Sequence, residues 1–308
     1  MTLINKAFKY LTDSKYRTFI KMKKGFYNHL SDEEYLKIRF QYKLDQKLNL
    51  TEPKTFNEKI QWLKIHDHNP AYTEMVDKLA VKKLIAEKLG EDCVVPVLGV
   101  WDKFEEIDFD QLPDQFVLKC THDSGGVFVC TDKASFPMEE AREKIHASMK
   151  RDFYLRTREW PYKNVPRKIF AEQYVDDGHG SDLTDYKFYC FHGEPKFCQV
   201  ISDRRSVEKI DFFDMDWNLQ PFTGIMLPHK PHNPNVTKPE SFSEMREAAR
   251  LLSQEIPFVR VDFYDVNGKM YFGEITFYPG SGFGYYKPEE WNEILGSYID
   301  LQKVQVRE

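Results

Sequence analysis

The apolar positions of the chain change their spacing near residue 90. Before that point they recur at helical intervals, and no convincing strand-like alternation is present. Ser31 followed by Glu34 has the form of a capping box, which is typical of a helix start. The pattern therefore predicts a helical N-terminal region over residues 1–72.

Residues 73–89 keep the helical spacing and are predicted to form one further helix, with Asp77 and Lys78 in its first turns. Gly90 stands where a C-terminal cap is expected.

Beyond residue 90 the apolar positions alternate with period two, in short segments rich in β-branched and aromatic residues. Nine such strands are predicted, at residues 94–101, 115–120, 126–131, 168–175, 185–191, 196–202, 209–215, 257–266 and 269–277. Helical spacing returns only at 137–150 and 241–255. This order predicts an α+β fold with mostly antiparallel sheets.

The segment 257–282 contains two strands around a turn, and its register decides where two acidic side chains point. A two-residue turn formed by the dipeptide NG would put Asp262 and Glu274 on opposite faces. A three-residue loop, VNG, puts them on one face and leaves the other face uniformly apolar, so the pattern favours this loop. The polar face then carries Arg260, Asp262, Glu274 and Thr276, and the apolar face Val259, Val261, Phe263, Tyr271, Ile275 and Phe277.

Two adjacent carboxylates repel each other, so their burial requires a cation. Mg²⁺ suits carboxylate oxygens and bridges substrate phosphates, while Arg260 beside them could neutralise a phosphoryl group during transfer. The alternative is an exposed strand edge with unrelated acidic residues.

Two weaker patterns also suit a nucleotide. In QFVLKCTHDSGGVFVC, Lys119 ends a strand, and Gly125 and Gly126 let backbone N–H groups face an anion; an ordinary hairpin turn has the same form. Glu172 on one strand, and Asp185 with Lys187 on the next, could bind adenine and ribose, or could be surface charges.

Taken in order, these segments resemble the ATP-grasp superfamily over about residues 73–284, and more closely its teichuronopeptide-biosynthesis (TupA-like) group of bacterial surface-polysaccharide loci. The resemblance implies an ATP-grasp fold of two α+β subdomains enclosing ATP. It divides the chain into the helical region 1–72, a phosphate-loop subdomain 73–175 and a metal-site subdomain 176–308.

The resemblance also implies residue roles. The nucleotide would contact Lys78, Lys119, Ser124, Gly125, Gly126, Glu172, Gln173, Tyr174 and Asp185. Mg²⁺ would bind Asp262, Glu274 and Thr276; catalysis would use Arg260 and Lys187; the acceptor would contact Arg204, Gly280, Ser281 and Gly282. Thr276 replaces the usual Asn of the superfamily, which leaves one or two Mg²⁺ ions open. The usual N-terminal α/β domain is also missing, so the resemblance does not extend to the substrate.

The activity implied is an ATP-dependent carboxylate–amine ligase that joins an amine or amino acid to a uronic-acid or amino-sugar unit. An ATP-grasp kinase acting on a sugar hydroxyl is one alternative. The other is a glycosyltransferase that uses Asp214 and Asp216 as its metal-binding pair. The triplet Asp203-Arg204-Arg205 could bind an anionic acceptor, or could be a solvated charge cluster.

Composition and charge limit the classes of partner that the protein can have and indicate its location. The 308 residues are 41% hydrophobic and carry a net charge of −5, which fits a folded protein and argues against nucleic-acid binding. Five cysteines without a CxxC pair predict reduced, buried thiols. No secretory signal is recognisable, so a cytoplasmic protein is expected. Seven basic residues against one acidic residue in residues 1–30 indicate either solvated helix faces or attachment to anionic glycan or the inner membrane face.

Overall fold

The computed structural model describes residues 3–176, 183–204 and 206–307. Within these ranges the helices are α1 (Leu3–Thr12), α2 (Ser14–Lys23), α3 (Asp32–Leu44), α4 (Phe56–His66), α5 (Ala71–Val76), α6 (Ala80–Leu89), α7 (Met138–Met149), α8 (Phe153–Thr157), α9 (Phe242–Leu252) and α10 (Trp291–Ser297). The strands are β1 (Val97–Trp101), β2 (Phe116–Cys120), β3 (Val127–Cys130), β4 (Ile169–Gln173), β5 (Asp185–Phe191), β6 (Glu194–Ser202), β7 (Lys209–Asp214), β8 (Thr223–Gly224), β9 (Phe258–Val266), β10 (Lys269–Thr276) and β11 (Tyr286–Lys287).

The strands form two main antiparallel sheets. The first has the order β1-β4-β2-β3 and the second the order β10-β9-β5-β6-β7, while β8 and β11 pair separately. Helix α7 packs its buried side on the first sheet, and α9 packs on the second. Each of the nine predicted segments contains a strand, and the predicted α+β architecture is confirmed.

The N-terminal region is helical, as predicted: six helices precede β1 in the described residues. Ser31 Oγ accepts a hydrogen bond from the Glu34 N–H at 3.3 Å, and Glu34 Oε2 accepts from the Ser31 N–H at 3.1 Å, so the capping box begins α3. Side chains of this region pack around Phe283, which lies beyond the second sheet. The helical region is therefore part of the same packed body.

The single helix predicted over residues 73–89 is wrong. The chain leaves the helix at Asp77, and α6 begins at Ala80. Asp77 Oδ1 accepts hydrogen bonds from the N–H groups of Leu79 at 2.9 Å and Ala80 at 3.1 Å, so the carboxylate competes with the helical pattern and starts a new helix. Lys78 therefore lies in the break, where its N–H donates to the Thr121 carbonyl at 3.3 Å.

The turn between β9 and β10 also differs from the prediction. Val266 pairs with Lys269, which leaves only Asn267 and Gly268 in the turn, at φ 54° and 82°. Positive φ at both central residues is the requirement of a type I′ turn, which Asn-Gly favours strongly. The three-residue loop is therefore wrong, because the local preference of these two residues decides the turn.

A β-bulge at Gly273 nevertheless brings the acidic residues to one face. The register shifts just before Glu274, so that Glu274 lies opposite Asp262 and Thr276 lies opposite Arg260. A Cβ on residue 273 would come within 3.0 Å of the Asp262 carbonyl oxygen, so the bulge requires glycine. The shared polar face is confirmed, although the bulge rather than the turn produces it.

The bulge changes the apolar face of β10 as well. Tyr271, predicted on that face, is only half-buried, while Met270 and Phe272 lie in the core. With a two-residue turn, the even-numbered residues of β10 that precede the bulge, Met270 and Phe272, point inward. Those that follow it, Glu274 and Thr276, point to the polar face.

Two further observations concern the chain as a whole. The five cysteines are buried and unpaired, as predicted. Among the described residues, every helix is too short or too polar to cross a membrane.

Candidate active site

A cavity of about 380 Å³ lies between the two sheets. One side carries Lys119 of the first sheet with Lys78 and Lys82 from around the start of α6, and the second sheet contributes three of the four acidic residues. Ten of the residues singled out from the sequence line it: Lys78, Lys119, Ser124, Gly125, Glu172, Asp185, Lys187, Arg204, Asp262 and Glu274. The fold thus brings together residues that are up to about 200 positions apart in the chain.

A charged cluster on β5, β9 and β10 forms the floor of this cavity. Arg260 donates from Nε to Asp262 Oδ1 and from Nη2 to Asp262 Oδ2, both at 2.7 Å, and Nη2 also reaches Glu274 Oε1 at 3.0 Å. Lys187 binds Asp262 and, at 3.0 Å, Asp185. In the structure, therefore, Arg260 and Lys187 compensate the negative charge of the buried acidic residues. The sequence predicts a metal ion in that role.

These contacts keep Asp262 ionised. Its side chain is 2% exposed, and burial alone would raise the pKa of its carboxyl group. The charges of Arg260 and Lys187 outweigh burial and hold that pKa below its ordinary value. Burial alone would lower the pKa of the Arg260 guanidinium, but the charge of Asp262 raises that pKa above its ordinary value.

The oxygen atoms in this cluster fit a magnesium ion. Asp262 Oδ2, Glu274 Oε1 and Thr276 Oγ1 surround a single cationic atom, Arg260 Nη2, at 2.7, 3.0 and 3.1 Å. Hard oxygen donors are the ligands that Mg²⁺ prefers, with water and phosphate completing its shell. No group of three His, Cys, Asp or Glu side chains within the described ranges could hold a metal alone. The donor set therefore suits an ion that arrives with phosphate, not a closed protein site.

On the opposite side of the cavity, two lysines hold Glu172. Lys82 Nζ lies 3.0 Å from one carboxylate oxygen, and Lys119 contacts the other. Burial alone would raise the pKa of Glu172, but the two lysines lower it. Sequence reasoning missed Lys82; its position four residues after Lys78 was the available signal, although the helix break separates the two.

The glycine-containing loop is anchored by Asp123, which sequence reasoning also missed. Its buried carboxylate accepts hydrogen bonds from Ser148 Oγ at 2.6 Å, Arg151 at 2.9 Å and the Gly126 N–H at 3.2 Å. Lys78 Nζ donates to the Asp123 carbonyl oxygen. The loop is thus tied to α7 and to the α5–α6 break.

The two glycines of this loop have different roles. A Cβ on Gly126 would overlap Ser148 Oγ and lie 2.6 Å from Asp123 Oδ1, so this glycine makes room for the anchor rather than for a ligand. Gly125 has φ of 102° with open space around it, and lines the cavity with Ser124. Only Ser124 and Gly125 therefore face the site.

Gln173 and Tyr174 lie away from the main cavity, along a second depression of about 300 Å³ beside β10. The Gln173 N–H donates to the Pro96 carbonyl at 3.0 Å, so that donor is used within the protein. Their assignment to adenine stays a prediction.

The segment predicted to contact the acceptor, Gly280, Ser281 and Gly282, is called the acceptor segment below and has left-handed backbone throughout, at φ 57°, 56° and 68°. Lys64 on α4 forms hydrogen bonds with this segment. Its buried Nζ donates to the Ser281 carbonyl at 2.9 Å, to Ser281 Oγ at 3.0 Å and to the Thr157 carbonyl at 3.1 Å. No pattern in the sequence indicates this contact, because 217 positions separate Lys64 from Ser281.

Burial lowers the pKa of Lys64 to about 7, although the nearby Glu159 opposes this shift. We expect Lys64→Met to lower the free energy of unfolding by about 3 kcal/mol, since it leaves buried acceptors and Glu159 without their cation. Urea unfolding at neutral pH measures this change. Lys88→Met, on the exposed side of α6, should stay within about 0.5 kcal/mol of wild type. Equal stability of the two variants would contradict the anchoring role.

The two remaining sequence patterns do not form separate sites. Asp214 Oδ1 accepts from the N–H groups of Asp216 at 3.0 Å and Asn218 at 2.8 Å, so its carboxylate stabilises an exposed turn. This geometry favours a structural role for the pair over metal binding by it.

The two described residues of the triplet Asp203-Arg204-Arg205 contact different partners. Arg204 lies 2.8 Å from Asp185, while Asp203 lies 2.8 Å from Lys209. Arg205 lies outside the described residues.

Comparison with solved structures finds distant similarities. The D-alanine–D-alanine ligase of Bacillus anthracis complexed with ATP is 16% identical over 67% of this chain and 54% of that one, with a TM-score of 0.38. The corresponding ligase of Helicobacter pylori is 16% identical over 79% and 69%, with a TM-score of 0.44. The ATP-grasp ligase PsnB, complexed with minimal precursor, Mg and ADP, is 10% identical over 80% and 62%, with a TM-score of 0.37.

The chain thus spans little more than half the length of the first of these proteins. Comparison with curated proteins gives no match. A family model described as TupA-like ATPgrasp matches residues 58–300, which include both sheets and all the residues that line the cavity. The protein therefore belongs to the TupA-like ATP-grasp family.

Proposed function

We propose that the protein is an ATP-dependent carboxylate–amine ligase that forms an amide through an acyl phosphate. One observation carries the proposal: Lys78 and Lys119 on one side, and Asp262 and Glu274 on the other, line a single cavity between two sheets. Cations for a triphosphate and carboxylates for its metal ion are what phosphoryl transfer requires. Family membership supports the same proposal.

In this proposal the nucleotide lies between the sheets. Lys78 and Lys119 bind its phosphates beneath the loop residues Ser124 and Gly125. Glu172 on β4 of the first sheet and Asp185 on β5 of the second sheet would lie at the adenine and ribose end. Because Lys82 and Lys119 already bind Glu172, an entering phosphate would share Lys119 with that carboxylate.

Asp262, Glu274 and Thr276 would hold Mg²⁺. Five basic and four acidic side chains line the cavity, so its excess of positive charge is too small to neutralise a triphosphate. A divalent ion, when bound, supplies that missing charge.

The chain's own residues position the reactants and balance charge. A substrate carboxylate oxygen attacks the γ-phosphorus, the bond to the bridging oxygen breaks, and ADP leaves. An amine then attacks the acyl carbon, phosphate departs, and the amine proton passes to solvent. Arg260 and Lys187, fixed on Asp262, present positive charge to the phosphoryl oxygens during the first step.

We further propose that the acceptor is a uronic-acid or amino-sugar unit of a bacterial surface polysaccharide, and that its partner is an amino acid or small amine. Gly280, Ser281 and Gly282 would contact the acceptor, with Arg204 at the rim of the cavity. ATP is available in the cytoplasm, so the reaction is proposed to occur there.

Incubation with Mg·ATP, a panel of sugar acids and a panel of amines tests the proposal. We expect ADP release that needs both substrates, and a product whose mass equals their sum less one water. A phosphorylated sugar would replace the ligase by a kinase. Thermal stabilisation by UDP-sugars but not by Mg·ATP would favour a glycosyltransferase instead.

A further inference from the structure

A second cavity, of about 550 Å³, lies among the N-terminal helices and is separate from the nucleotide cavity. It is formed by α2, α3 and Arg156 of α8. Six of its lining residues are either basic or tyrosine: Lys23, Tyr35, Arg39, Tyr42, Lys43 and Arg156. The family model begins at residue 58, so most of this cavity lies outside the part of the chain that the model describes.

The charge of this cavity is one-sided. Four basic side chains line it and no acidic side chain does. Within the described ranges, none of the four lies within salt-bridge distance of a carboxylate, whereas neighbouring cations are paired, Lys15 with Asp45 and Arg158 with Asp32. Uncompensated cations that converge on a concave surface favour an anionic ligand.

One of the four cations, Arg39, is also held in place. Arg39 donates to the Arg156 carbonyl oxygen, which accepts from the Tyr35 hydroxyl at 2.9 Å as well. The Arg39 guanidinium lies 4.7 Å from the centre of the Phe283 ring. Burial and the charge of Arg39 both lower the pKa of Lys43, as expected for like charges kept together. Arg39 is therefore held in place before any ligand binds, while Lys23, Lys43 and Arg156 are exposed at the cavity.

This cavity adjoins the acceptor segment. Phe283 directly follows Gly282, and the Tyr285 hydroxyl donates to the Lys43 carbonyl. A saccharide that extends from the acceptor segment could therefore reach the basic cavity without entering the nucleotide cavity.

We propose that the cavity formed by Lys23, Tyr35, Arg39, Tyr42, Lys43 and Arg156 binds a carboxylate-bearing sugar unit of the acceptor. A guanidinium pairs with a carboxylate through two parallel hydrogen bonds, and tyrosine rings offer flat faces to a pyranose. Its assignment to the acceptor rests on the proposed function. The cavity would select an anionic polymer segment beside the unit that reacts.

A calorimetric titration of trigalacturonate into the full chain at low salt tests this inference. We expect saturable binding of trigalacturonate and none of maltotriose, its neutral counterpart. Lys43→Gln/Arg156→Gln, which changes two exposed side chains, should weaken binding at least about tenfold. Arg39→Gln should do the same. Lys37→Gln, which removes a charge from α3 outside the cavity, should stay within about twofold of wild type.

Several results would overturn the inference: no trigalacturonate binding by wild type, equal binding of maltotriose, or unchanged affinity in the Lys43→Gln/Arg156→Gln variant. Binding to phosphatidylglycerol vesicles without binding to trigalacturonate would overturn it in favour of a membrane surface. Mg·ATP affinity, measured on the same proteins, should not change in the variants. Trigalacturonate binding by a wild-type protein that binds no ATP would support the cavity and contradict the proposed function.

Discussion

Glu274→Gln is expected to lower the rate of ATP turnover by at least about 100-fold and to leave the fold intact. The change removes a carboxylate from the proposed metal site without altering side-chain volume. The Glu274 side chain is 44% exposed, and its ion pair is with Arg260, which keeps Asp262 as a second partner. We therefore expect the free energy of unfolding to change by no more than about 0.5 kcal/mol.

ADP release under saturating Mg·ATP measures this effect, and urea unfolding checks the fold. Glu289→Gln is a matched control, because it makes the same chemical change at an exposed residue outside the cavity. Turnover near the wild-type rate in the Glu274 variant would contradict the proposed site.

Asp262→Asn is expected to abolish turnover as well and, unlike the change at Glu274, to lower the free energy of unfolding by about 3 kcal/mol. Sequence alone predicts an intact fold for both variants, since neither changes volume. The structure alters that expectation for Asp262, because its buried carboxylate is the common partner of Arg260 and Lys187. Without its charge, two buried cations each lose one of their two carboxylate partners, since Arg260 keeps Glu274 and Lys187 keeps Asp185.

Urea unfolding of wild type, Asp262→Asn, Lys187→Met and the double variant tests this explanation. The double variant Asp262→Asn/Lys187→Met, which removes one of the two cations that lost a partner, should be more stable than the sum of the two single losses predicts, whereas additive losses would contradict the coupling. The pH dependence gives a second check. The pKa of Asp262 is lowered in the fold, so its contribution is present above the unfolded pKa of about 3.9 and lost as pH falls through the folded value. The stability difference between wild type and Asp262→Asn should therefore shrink in acid.

The polar face of the β9–β10 hairpin shows what sequence can predict and what it cannot. The apolar alternation correctly indicates that Asp262 and Glu274 share a face, because burial of the opposite face leaves no other arrangement. The route to that face was predicted wrongly. A two-residue turn and a bulge at Gly273 have the same effect on parity as a three-residue loop, and the pattern of apolar residues cannot distinguish them.

Local competition explains the error around Lys78. Helical spacing continues through residues 73–89, yet the Asp77 carboxylate captures two backbone N–H groups and interrupts the helix. Lys78 thereby reaches the carbonyl of Asp123 on the glycine-containing loop. Spacing alone does not reveal such a break, because the side chain of Asp77 needs only a small change in backbone direction to cap a new helix.

Contacts of the N-terminal helices were beyond sequence reasoning for a different reason. Lys64 binds Ser281, and Arg39 packs on Phe283, across more than 200 positions of the chain. Helix periodicity shows that α3 and α4 have buried faces, but not which distant segment covers them. The sequence therefore predicts the helical region without its contacts, whereas the structure shows that it packs against residues 281–283.

Calorimetric titration of ATP, with and without magnesium, most directly tests the claim that the two carboxylates bind a metal–triphosphate complex. Wild type is predicted to bind ATP in the presence of Mg²⁺ and to lose most of that affinity when EDTA removes the ion. Glu274→Gln should show little dependence on Mg²⁺. Equal affinity of wild type with and without the ion, or no ATP binding in either condition, would contradict the account.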